Sequence, residues 1–84
     1  MAFAPVSITV ETARRVQAEG LAAIRAGQTD IDLAGLTAVD SAAVSVLLSW
    51  LRAARAAGSA LRFAHIPQPV HTLATLYGVD EFLA

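Results

Sequence analysis

Apolar residues recur with helical spacing in three stretches of this chain, each closed by a glycine, and with alternating spacing in the short segments between them. The first helix is predicted over about Val10 to Ala26. Val10, Ala13, Gln17, Gly20, Leu21 and Ile24 share one face, Glu11, Arg15 and Glu19 form an i,i+4 series on the other, and Gly27 ends it. Thr9 is the expected N-cap, after a short extended stretch at Val6 to Ile8. Thr29 to Ala34 reads as a strand that Gly35 breaks, with Leu36 and Val39 anchoring the loop beyond it in the core. A second helix is predicted over Ala42 to Ala57, capped by Asp40 or Ser41 and closed by Gly58. Ser59 to Ile66 is the next strand, Pro67-Gln68-Pro69 a turn, and Val70 to Tyr77 a third helix ended by Gly78. That helix is expected to bury Val70, Leu73, Ala74 and Tyr77, with Asp80 capping a last turn that holds Phe82 and Leu83.

Strands alternating with helices give an α/β class, and helical crossovers favour parallel neighbours. The expectation is one domain over residues 1–84, a small, mainly parallel or mixed sheet of three to four strands covered by three to four helices.

The second helix raises the functional question. At about 100° per residue, Val44, Leu47, Leu48 and Leu51 form a core stripe, while Ala42, Val46, Trp50 and Ala53 project from the flank and back. The expectation is a second, water-exposed apolar face with Trp50 as an interface anchor. The competing reading folds Trp50 over a sheet edge. Ser45, Ser49 and Arg52 lie on the other flank as a polar rim. Ser41, at the helix start, is either a plain cap worth about 0.5–2 kcal/mol or a residue that is modified or touches a partner.

Composition narrows the choice. Of the 84 residues 56% are hydrophobic, much of this alanine, which favours close helix packing over a deep substrate cavity. The absence of cysteine removes disulfides and thiolate metal sites. A net charge of −1 with scattered arginines argues against nonspecific nucleic-acid binding. No apolar run reaches the length of a membrane span, and Met1-Ala2-Phe3-Ala4-Pro5 lacks the pattern of an export signal, so a soluble cytoplasmic protein is expected. His65 and His71 do not suggest a metal site. Ser41 has no nucleophile elbow and no phosphate-binding glycine loop is present, so neither an enzyme nor a cofactor is expected.

Ile31-Asp32-Leu33, then Val39-Asp40-Ser41-Ala42-Ala43 and the apolar run from Val44 to Leu51, resembles the signature of the STAS domain family. The resemblance continues through Gly58, Leu61-Arg62-Phe63 and Leu73-Ala74-Thr75-Leu76-Tyr77-Gly78-Val79-Asp80, covering Gln28 to Leu83. The ending is similar to the MlaB-like branch, the small STAS subunit of a bacterial ABC system that moves phospholipid between membranes and maintains outer-membrane lipid asymmetry. Two departures are a clipped first strand and Ala42-Ala43 where glycine is common in the family.

The resemblance implies a STAS-like fold and a non-enzymatic subunit, peripheral to the inner membrane through its complex, that binds the transporter's ATPase. Ser41 aligns with the family's phosphorylated or partner-contacting position, and Asp40, Ala42, Ala43, Ser45, Val46, Ser49, Trp50 and Ala53 are the expected contact residues around it. The alternative is an anti-sigma-factor antagonist that phosphorylation of Ser41 by a partner kinase regulates. A homodimer over the same face is a third reading.

Overall fold

The computed structural model describes residues 2–82, the side chain of Asp80 excepted. The chain runs β1 (Ser7–Ile8), α1 (Ala13–Arg25), β2 (Asp30–Asp32), β3 (Ala38–Val39), α2 (Ala42–Ala56), β4 (Arg62–Ala64) and α3 (Gln68–Leu76), then a 3₁₀ turn at Asp80–Phe82. All strand pairing among these residues is parallel, the arrangement that helical crossovers favour.

Where one small sheet was expected, the strands form two ladders. β1 pairs with β3, Ser7 opposite Ala38 and Ile8 opposite Val39. β2 pairs with β4, Asp30 opposite Arg62, Ile31 opposite Phe63 and Asp32 opposite Ala64. The segment read as a loop through Val39 is thus a strand in its own right. It is set apart from β2 by a turn in which the Leu36 N–H donates to the Leu33 carbonyl at 3.1 Å.

The three helices end alike. Gly27 and Gly58 take φ of 101° and 74°, which a residue with a Cβ rarely adopts. The N–H groups of Gln28 and Ser59 then reach back to the carbonyls of Ala23 and Ala54 at 3.0 and 2.9 Å, and Val79 does the same to Ala74 at 2.9 Å. At the other end, α1 starts three residues later than expected. The Thr9 N–H is taken by Thr12 Oγ1 at 2.9 Å and the Val10 N–H by Asp40 Oδ2 at 3.0 Å, so this segment is a side-chain-braced turn. Val10 is left 76% exposed, outside the helix whose face it was expected to extend.

The core gathers around Trp50. Its indole is fully buried, lies on Gly20 of α1, and donates from Nε1 to the Gln17 carbonyl at 3.1 Å. Phe3 meets it edge-on with ring centroids 5.6 Å apart, and Phe63 of β4 packs at a tilt at 6.5 Å. Phe3 is held there by Gln28, whose Oε1 accepts the Phe3 N–H at 2.9 Å while its Nε2 donates to the Phe3 carbonyl at 2.8 Å. Ile8, Ile31, Leu33, Leu47 and Val70 are the other large side chains buried completely.

This corrects the phase assigned to α2. The stripe in the core is Ala43, Val46, Leu47, Trp50 and Ala54, rotated by one residue step, about 100°, from the one expected. Val44 stays buried, while Leu48 and Leu51 are only half-buried. In α3, Val70 and Ala74 are buried as expected, but Tyr77 is 58% exposed, because the chain turns away at Gly78 before its ring can be covered. The expected Asp80 side-chain cap and the packing of Leu83 lie outside the described residues.

Candidate functional site

The joint between β3 and α2 is built on Asp40. Its Oδ1 accepts the Ala42 N–H at 2.8 Å, its Oδ2 accepts the Val10 N–H at 3.0 Å, and its own carbonyl accepts the Ala43 N–H at 3.0 Å. One carboxylate therefore caps α2 and ties the β1–α1 turn to it, and its charge suits the positive end of the helix. Ser41 does not share this work. Its backbone is already helical, at φ −59° and ψ −22°, and its side chain makes no capping hydrogen bond. A capping serine needs extended backbone angles to aim its oxygen at the second or third amide. Of the two caps considered from sequence, Asp40 is the one used, and the Ser41 hydroxyl faces solvent at the head of the helix.

The expected contact residues separate by burial. Ser41 and Ser45 are exposed, and Asp40, Ala42, Ser49 and Ala53 are half-buried. Ala43, Val46 and Trp50 have relative exposures of 0, 3 and 0%, so the exposure expected for them is wrong. The physical reason is the space over Gly20, where the indole finds an aromatic environment and a carbonyl for its N–H. Ser49 turns its hydroxyl back onto the Val46 carbonyl at 2.8 Å. The accessible surface at the start of α2 consists of small side chains that admit close backbone approach, with Ser41 and Ser45 one turn apart.

A second polar feature joins the carboxyl ends of β2 and β4. His65, just past β4, takes a left-handed φ of 55°, and its Nδ1 lies 3.0 Å from Asp32 Oδ1. The same oxygen accepts the Ala34 N–H at 2.9 Å. The Ala34 amide first, then the His65 hydrogen bond, hold the Asp32 carboxyl below the usual aspartate range. Both side chains are exposed, so the pair is a local tie in water. No acidic companion for His65 was visible in sequence. Only the parallel register, which sets Asp32 opposite Ala64, brings the two within reach.

Among the described residues no group of three or more His, Asp and Glu side chains could hold a metal ion. No helix there is long and apolar enough to cross a membrane. A family model described as "Mlab, STAS domain" matches residues 7–84. No curated protein and no solved structure matches the chain. Domains of this family are generally binding or regulatory rather than catalytic.

Proposed function

Since the chain belongs to the STAS domain family in its Mlab form, we propose that it is a non-enzymatic subunit that docks on the ATPase of an Mla-type phospholipid-transport ABC system and stabilises or regulates it. The observation that carries this reading is the division of labour at the α2 start. Asp40 satisfies the helix cap, so Ser41 has no structural task there and presents a free hydroxyl on a low-relief surface. Ser45, Ala42 and the half-buried Ser49 and Ala53 extend that surface along the helix. Small residues let a partner's backbone come close, and the Ser41 hydroxyl offers both a donor and an acceptor at its edge.

Copurification with an Mla-type ATPase subunit tests the reading. Ser41→Glu and Ser45→Arg, each with an unchanged circular-dichroism melt, are expected to abolish capture, because each puts bulk and charge where close contact is needed. Ser41→Ala is expected to retain most of it. Undiminished capture by both bulky variants would remove the reading.

The anti-sigma-factor antagonist draws on the same exposed hydroxyl. A phosphate there would sit beside the Asp40 carboxylate, so modification would act by blocking a partner more than by ordering the helix. Phospho-Ser41 in cellular protein, together with capture of a kinase in place of the ATPase, would favour that alternative.

A further inference from the structure

A groove runs beside the carboxyl-terminal half of α2. Leu48, Leu51, Arg52 and Arg55 fall at i, i+3, i+4 and i+7, so they form one stripe of the helix, next to the stripe that enters the core. Leu61, just before β4, and Phe82, from the 3₁₀ turn, supply further lining. The groove has a volume of about 420 Å³, within the range of small-molecule sites. Its three leucines are half-buried and Phe82 is 56% exposed, so hydrocarbon from three separate segments of the chain is left in contact with water.

We propose that this groove binds a single-chain anionic amphiphile of the long-chain carboxylate class, its aliphatic chain along Leu48, Leu51, Leu61 and Phe82 and its carboxylate between Arg52 and Arg55. The chemistry of the lining selects this occupant. Four hydrocarbon side chains offer desolvation and dispersion but no hydrogen bonds. An aliphatic chain laid on them buries hydrocarbon against hydrocarbon and leaves no polar group unsatisfied, and the two arginines at its side call for a negative charge at the chain's end. Two guanidiniums on one stripe present forked donors that match a carboxylate, while the Ser59 hydroxyl at the groove wall is spent on the Ala54 carbonyl at 3.3 Å. Arg55 lies in the last turn of α2, where the helix carries a partial negative charge, and the two full positive charges outweigh it. The site is distinct from the Ser41 surface and independent of the ATPase reading.

Calorimetric titration of the full chain with tetradecanoate, kept below its micelle concentration, tests the proposal. One saturable site is expected. The uncharged monoglyceride of the same acid, and the doubly reversed variant Arg52→Glu/Arg55→Glu with an unchanged melt, should each bind at least about tenfold more weakly. Leu51→Gln should weaken binding of both the acid and its monoglyceride, and Ser41→Glu should leave the titration unaltered. Absence of saturation, equal affinity for charged and uncharged ligands, or full binding by the doubly reversed variant would overturn it. Adsorption to phosphatidylglycerol vesicles without binding of the monomer would assign the arginines to a membrane surface. A dimer in sedimentation that the doubly reversed variant dissociates would assign the groove to a second copy of the chain.

Discussion

Asp40 and Ser41 are neighbours with opposite roles, and substitution should separate them. Asp40→Ala removes the acceptor for the Ala42 and Val10 amides together and is expected to cost about 1–2 kcal/mol of stability. Ser41→Ala removes no capping bond and is expected to stay within about 0.5 kcal/mol of the parent in urea denaturation. The contrast follows from backbone angles that the residue types alone do not announce. Asp32 provides a second test at this scale. Its carboxyl is held below the usual range by the Ala34 amide and by His65, so ionisation favours the folded state. That contribution is complete above the unfolded carboxyl's pKa and is lost as pH falls through the folded one. Carbon-detected NMR titration should find the Asp32 midpoint lowered, and His65→Ala should raise it part of the way back, because the Ala34 amide remains. Both side chains are open to solvent, so the accompanying change in stability should be small.

At the scale of the element, α2 tests how the domain is packed. Gly20→Ala would set a Cβ on Cε2, Nε1 and Cζ2 of Trp50, a rigid ring with no room to retreat, and is expected to destabilise by about 1–3 kcal/mol although alanine is the better helix former. Trp50→Ala empties the centre of the core and should cost about 3–5 kcal/mol. Chemical denaturation measures both, and a neutral Gly20→Ala would contradict the packing described. Much of the architecture was legible in advance: three helices closing at Gly27, Gly58 and Gly78, an Arg15–Glu19 pair at 3.2 Å on the outer face of α1, and Asp40 as one of two candidate caps. The rotation of α2 was not. From Ala42 to Ala54 that helix carries apolar side chains on every side, with only Ser45, Ser49 and Arg52 to orient it, so periodicity leaves the phase undetermined. What settles it is a vacancy on another element, the missing side chain of Gly20, which a pattern read one helix at a time does not register. The His65–Asp32 contact was hidden for a related reason, since it depends on strand register across 33 positions.

The molecule as a whole has more hydrocarbon than its interior uses. Val6 and Val10 are 64 and 76% exposed, and Leu76, Tyr77 and Phe82 are 75, 58 and 56% exposed. Val10 is bonded through its amide to Asp40, which places one of these apolar side chains beside the Ser41 surface, while Phe82 lines the groove. Two polar-edged surfaces, one at the start of α2 and one along its later turns, thus share a helix whose remaining face is locked in the core. The lock itself has a meaning beyond stability. The indole occupies volume that residue 20 gives up, so the two positions divide a fixed allowance of space. In a library randomised at both, a larger residue at 20 should survive chiefly with a smaller one at 50. Neither position taken alone would disclose that trade.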